Sequence, residues 1–356
     1  MSPTLDRLKF VRSALIALTT GLMWGLASLA HAEDEPVAPS EVNYRLGDGF
    51  HIPDSNWRLG GYATASHERL QDRVPRTSLD NLSLFVWWEG EGRWKLFSEL
   101  DYENPISSRD EHTEDTHRYL ALERLYADYA VNDTSTVRVG KFLTPIGRWN
   151  LMHATPLVWS TSRPLVTRHV FPTNATGLMF SSTLPMGQDG LEYSIYGSDG
   201  SDWRRNPEVD AFKQSLGTHV TLPTWSGHKL GFSYATFEQE RSPGERKQLL
   251  GFDYLWAHQG YELSAEGVYR RSAQGHQWDE RGVFLQGVLP LHDKWFAFAR
   301  VEAFRQAAIE GTTQLWVAGL NYRYTPALVV KAEWVTSRNN DIGVPTGFLS
   351  SISVLF

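Results

Sequence analysis

GFLSSISVLF, residues 347–356, brings the chain to its end on an aromatic ring. Taken two residues at a time, Phe348, Ile352, Val354 and Phe356 fall on one side, broken only by Ser350, while Leu349, Ser351, Ser353 and Leu355 fall on the other. Successive side chains of a strand point to opposite faces. The stretch therefore predicts a strand with one apolar and one mixed face, and raises the question of what the apolar face lies against.

The same alternation recurs back along the chain. In LSLFVWW, Leu82, Leu84, Val86 and Trp88 share a face, and in WKLFSELDY, Trp94, Leu96, Leu100 and Tyr102 oppose Lys95, Glu99 and Asp101. Residues 261–270 set Tyr261, Leu263, Ala265 and Tyr269 against Glu262, Glu266 and Arg270; residues 295–304 set Trp295, Ala299 and Val301 against Arg300 and Glu302. One interruption, in RYLALERLYADYAV, moves the apolar parity from Leu120 and Leu122 to Leu125, Ala127, Tyr129 and Val131, which predicts a bulge near Glu123 and Arg124. No amphipathic helix stands out outside one long loop.

The amino terminus reads differently. Arg7, Lys9 and Arg12 precede an apolar stretch from Ala14 to Leu29 and then AHA before a run of acids, the pattern of a secretory signal peptide cut after Ala32. Residues 1–32 are thus expected to be removed, 33–56 to form a polar periplasmic leader, and 57–356 to fold. The segment carries three basic residues and one acid, so the mature chain is two units more acidic than the formal −7 of the whole, which argues against a nucleic-acid partner. There is no cysteine and so no disulfide.

After Ala32 no apolar run approaches the roughly 18 residues that suggest a spanning helix. Yet 13% of the residues are aromatic, with 14 Trp, and the mean hydropathy is an ordinary −0.36. A transmembrane barrel reconciles these values, because apolar-out and polar-in residues cancel in the average while alternating along each strand. Short links at EGEG, NDTS, PMGQD, PTWSGH, HQG, PLHD and TPA interleave with longer or more polar ones around 71–77, 104–117, 144–175, 199–213, 241–246, 272–279, 306–311 and 338–346. Fifteen connections predict an all-β, antiparallel barrel of sixteen strands with both ends on one side. Trp88, Trp94, Trp256, Trp295 and Phe356 flank the short links, as an aromatic belt at the headgroup level would. A soluble β-sandwich is the competing reading.

Two resemblances follow from particular residues. The ending, alternating and closed by Phe356, resembles the carboxy-terminal strand of Gram-negative outer-membrane proteins, and this implies recognition of Phe356 by the barrel-assembly machinery. VRVGKFLTPIGRWN (137–150), with TPLVWSTSRPLV (155–166) and FPTNATGLMF (171–180), resembles general and phosphate-selective porins, where a strand bearing a G-[KRQ]-F segment leads into a Pro-Gly loop. It implies a porin barrel for passive diffusion of small hydrophilic solutes, a third external loop folded into the channel, frequent trimers, and contact with outer-membrane lipid and lipopolysaccharide. A substrate-specific or gated channel is the alternative, and an outer-membrane barrel enzyme the competing class.

That third loop has its own chemistry. From Thr144 to Ala175 there is no Asp or Glu, but there are Arg148, Arg163 and Arg168 with His153 and His169. At a constriction, these guanidinium groups would favour anions. The competing reading pairs them with acids of the wall or with lipopolysaccharide at the rim. The wall itself reads as balanced, with Arg58, Lys95, Arg124, Arg138, Arg270, Arg300, Arg323 and Lys331 against Glu99, Asp101, Asp128, Glu192, Asp253, Glu262, Glu266, Glu302 and Glu333. No cofactor or metal is implied. HTEDTH (112–117) has ligand-type residues but no recognised spacing, and His219 with scattered serines forms no catalytic pattern in the sequence.

Overall fold

The computed structural model describes residues 43–356 apart from 110–111, 114–117, 153, 169, 187–189, 201–202, 204–209, 225–226, 276–278 and 308. Sixteen antiparallel strands form one ring. β1 (Trp57–Leu70), β2 (Arg76–Glu89), β3 (Trp94–Arg109), β4 (Tyr119–Asn132), β5 (Ser135–Leu143), β6 (Asn174–Leu184), β7 (Leu191–Ser198) and β8 (Phe212–Pro223) make its first half. β9 (His228–Gln239), β10 (Ser242–His258), β11 (Tyr261–Ser272), β12 (Glu280–His292), β13 (Trp295–Arg305), β14 (Thr313–Thr325), β15 (Leu328–Arg338) and β16 (Gly347–Leu355) make the second. β16 then pairs with β1 from Gly347↔Leu70 to Leu355↔Tyr62, so the sheet closes with no free edge. The apolar side of the terminal strand faces outwards, and Phe356 completes the seam by exchanging two backbone hydrogen bonds with Gly61 at 2.7 and 2.8 Å.

Alternation sets which residues face in. On β15 Val329, Lys331, Glu333 and Val335 are buried inside, while Val330 and Trp334 are exposed outside. β14 repeats the pattern with Leu315, Val317 and Asn321 inside against Trp316 and Leu320 outside. Large apolar residues exposed on a closed sheet form the outward band of a transmembrane barrel. At the short-turn end Trp57 lies 6.3 Å from Trp88, Trp94 4.9 Å from Tyr129 and Trp295 4.7 Å from Tyr322, between ring centroids, which is the expected aromatic belt.

The bulge sits where the parity changes. Glu99 faces Arg124 and Leu100 faces Leu122, which leaves Glu123 as the extra residue. One expected connection is corrected. Residues 241–246 are not a loop, because β9 and β10 run on to a tight link at Glu240 and Arg241, with Gln239 opposite Ser242. Of the residues read there as a loop, Glu245 is buried while Arg241, Pro243 and Gly244 are exposed, and 243–246 bulge between the pairs Phe237↔Lys247 and Gln239↔Ser242. The tight turn between β10 and β11 places Gln259 and Gly260 both at positive φ, which matches the twist of the flanking strands. The leader contributes a small hairpin, Asn43–Arg45 with Gly49–His51, joined to β1 by Phe50↔Leu59.

Because the ladder is continuous around the ring, no strand can leave it without breaking bonds on both sides. An unheated sample in mild detergent should therefore migrate apart from a boiled one on a denaturing gel. Identical migration, with solubility in detergent-free buffer, would contradict the barrel.

Candidate pore constriction

The connection from β5 to β6 turns into the barrel. Its neck is held by Thr144, whose backbone N–H donates to the Thr173 carbonyl (2.8 Å) and whose hydroxyl donates to the Pro172 carbonyl (2.8 Å). Asn150, fully buried, donates from one amide to the carbonyls of Thr144 (2.9 Å) and Thr173 (3.0 Å). A 3-10 turn at Trp149–Met152 and one helical turn at Leu165–Arg168 are the regular pieces of the loop.

Wall carboxylates seat it. Glu266 accepts the backbone N–H groups of Arg148 (2.9 Å) and Trp149 (2.6 Å), and Glu333 accepts those of Thr161 and Ser162 (both 2.8 Å). Glu302 accepts Leu165 N–H at 2.7 Å with one oxygen and Arg300 Nε at 2.7 Å with the other. Arg300 also donates to the hydroxyls of Ser160 (2.6 Å) and Ser162 (2.8 Å), Lys331 to the carbonyls of Thr155 and Ser160, and Asn321 to that of Trp159. This explains a loop without acids: the negative charge is supplied by β11, β13 and β15, and it binds the backbone rather than the loop arginines. Leu165, Val166, Val170 and Phe171 then pack on inward Phe284, Phe298, Phe304 and Val317, so the interior near β12–β14 is a small apolar core.

The seated loop divides the lumen. On the short-turn side a cavity of about 510 Å³ is lined by Arg124, Arg138, Arg148, Glu192 and His219 among others. On the long-loop side another, of about 540 Å³, is lined by Arg163 and Arg168 of the loop with residues of β3, β4, β10 and β11. The three arginines are thus not brought together. Arg148 has a buried Nε without a partner, Arg168 is exposed, and Arg163 lies 5.1 Å from the Trp149 ring and donates to Asn150 Oδ1 at 2.8 Å. Burial pushes the Arg163 guanidinium down to about 10, which leaves it charged at neutral pH. His153 and His169 lie outside the described residues.

Wall charges are largely paired. Arg138 binds Asp128 through two parallel bonds of 2.7 and 2.8 Å and lies 3.7 Å over Tyr126, and Arg124 pairs with fully buried Glu99 while lying 4.5 Å over Phe97. Asp101 is also buried on this wall, and its Oδ1 has no hydrogen-bond partner among the described residues. Asn150, Ser160 and Asn321 escaped the sequence reading, since an amide or hydroxyl that caps a loop carries no charge pattern to betray it. His219 does meet a serine: its Nδ1 is 2.8 Å from Ser233 Oγ and 3.8 Å from Asp253, with Nε2 on Thr221 at 3.1 Å. A relay needs the nucleophile and the carboxylate on opposite ring nitrogens, and here both share one. Among the described residues no group of three or more His, Asp or Glu is arranged for a metal, and HTEDTH lies largely outside them.

The anion-selective porin from Comamonas acidovorans superposes with a TM-score of 0.59 over 85% of this chain and 98% of that one, at 12% identity. Salmonella typhi OmpF, solved with daunomycin, does so with 0.64 over 85% and 97% at 10% identity, and a Rh. blastica porin mutant with 0.54 over 84% and 100% at 13%. The fold is that of the outer-membrane porins. Sequence similarity is thinner than this porin fold: no family profile matches. A stretch of 117 residues is 27% identical to an uncharacterised protein of Aquifex aeolicus (strain VF5), over 32% of this chain and about a quarter (26%) of that protein's length.

Proposed function

We propose that this chain is an outer-membrane channel for passive diffusion of small hydrophilic solutes, with a modest preference for small anions. The observation that carries the reading is a closed barrel whose interior holds two polar cavities on either side of an inward loop. Such a wall offers a hydrated path, and no catalytic step is assigned to it. In this reading residues 1–32 direct export and are removed, the barrel-assembly machinery recognises Phe356, and lipid and lipopolysaccharide surround the outward band. Three copies associate through the β1 face, where Ala63 and Ala65 are small and Gly61 lies under the Phe356 ring.

The anion preference rests on Arg148 and Arg168, one in each cavity, and draws support from the Comamonas acidovorans porin named as anion-selective. A unit charge about 4 Å from a permeating ion contributes ~1 kcal/mol even in bulk water, a factor of roughly five in permeability. Arg148→Glu with Arg168→Glu should shift the reversal potential in a salt gradient towards cations by several-fold in permeability ratio, without loss of heat-resistant barrel. An unmoved reversal potential would remove the selectivity and leave the channel. Arg163 is left out of this test, since Glu beside Trp149 would unseat the loop.

A further inference from the structure

The cavity on the short-turn side carries two straight rows of hydroxyl-bearing residues. Thr136 of β5 lies opposite Ser181 of β6, Ser181 opposite Ser194 of β7, and Ser194 opposite His219 of β8. One step nearer the short turns, Thr183 faces Glu192 and Glu192 faces Thr221. All of these line the cavity. His219 ties the rows together, with Nε2 3.1 Å from Thr221 Oγ1 and Nδ1 2.8 Å from Ser233 Oγ. A hydroxyl both donates and accepts, so such a wall suits a solute that does the same.

Two further features bound the same space. Arg148 enters from the loop, its backbone N–H held by Glu266 and its Nε buried without a hydrogen-bond partner. Of the other two arginines that line the cavity, Arg138 is bound to Asp128 and Arg124 to Glu99, which leaves Arg148 for a solute. Leu143, Pro145, Met152 and Met179 give the cavity an apolar side.

We propose that this short-turn cavity binds hexuronic acids, sugar rings that carry one carboxylate, with the carboxylate on Arg148, ring hydroxyls on Ser181, Ser194 and Thr221, and the C–H face of the ring against Met152 and Met179. This rests on the channel reading above and names a solute class for it. The three kinds of lining answer to three parts of one molecule. An acid without hydroxyls would desolvate the serine and threonine wall and leave it imperfectly paired, and a neutral sugar would do the same to Arg148. The volume of about 510 Å³ falls within the roughly 300–1,000 Å³ of small-molecule sites.

Glucuronate, glucose and cyclohexanecarboxylate separate these parts, because glucose lacks the carboxylate and cyclohexanecarboxylate lacks the hydroxyls. In planar bilayers the current through the full protein should be interrupted by glucuronate at about tenfold lower concentration than by either of the others, the scale of one lost charge-assisted contact. Arg148→Gln should weaken the glucuronate block by about tenfold, measured against the variant's own open current. Ser181→Ala with Ser194→Ala should weaken it several-fold and leave the block by cyclohexanecarboxylate unchanged. Equal block by all three solutes, or a serine pair whose loss weakens both acids alike, would overturn the proposal while leaving the channel intact. Calorimetry of the three solutes with the unmutated, detergent-solubilised protein reads the site without conductance: tighter binding of glucuronate supports it even if no current steps appear, in which case the channel reading alone falls, and equal or no binding overturns it.

Discussion

Glu302→Ala together with Glu333→Ala should release the loop at 155–168 and turn a quiet channel into a noisy one of larger mean conductance. The two carboxylates accept the N–H groups of Thr161, Ser162 and Leu165 and the Arg300 guanidinium. Each buried donor left without an acceptor costs about 1–3 kcal/mol, and a buried arginine that loses its acid about 3–5 kcal/mol, so the seated position becomes the unfavourable one. The apolar contacts of Leu165 and Val166 remain, which is why noise from return visits is expected rather than a permanently open lumen. Loop position can also be read chemically. Thr161 and Ser351 hydroxyls lie 2.9 Å apart, and the chain has no native cysteine, so Thr161→Cys with Ser351→Cys should oxidise readily in the parent background and slowly in the double alanine variant. Unchanged conductance and equal oxidation in both backgrounds would show that the carboxylates do not seat the loop.

Deleting Phe356 should lower the amount of assembled barrel several-fold while sparing the heat resistance of what does assemble. The seam loses two backbone bonds to Gly61, each worth about 0.5–1.5 kcal/mol net, against a β16–β1 ladder that keeps nine paired positions. Such a loss is small for a closed barrel, so a large fall in yield would point to recognition during assembly. A parallel fall in heat resistance would mean that Phe356 acts through the seam. Normal yield would remove the assembly role altogether. Gly61→Val attacks the same seam from β1, because a Cβ there would meet the Ser83 carbonyl oxygen at 2.0 Å, and it should reduce both readouts.

Much of this architecture was legible because period two leaves a plain trace. Residues 347–356, 261–270 and 295–304 each assign their faces as the structure does, and the parity change at Leu122 to Leu125 located the bulge at Glu123. The reading failed at 241–246 because an irregular, polar strand end and a polar loop have the same composition, and only the pairing of Gln239 with Ser242 separates them. It also missed that inward positions need not be polar. Phe284, Phe298 and Val317 face inwards yet are covered, and what covers them comes from a segment more than a hundred residues earlier.

Strand period, even strand count and an acid-free basic loop were therefore set by the sequence itself, since each depends on local spacing or on net composition along one segment. The partners of that loop were decided by closure of the ring. Glu266, Glu302 and Glu333 stand 118, 137 and 172 residues from the N–H groups they accept, and only the register of sixteen paired strands puts their carboxylates at the depth where the loop turns. The same closure divides Arg148 from Arg163 and Arg168. A sequence records which charges a segment carries, but which side of a folded loop each one faces depends on where that loop is held, and here it is held by the opposite wall.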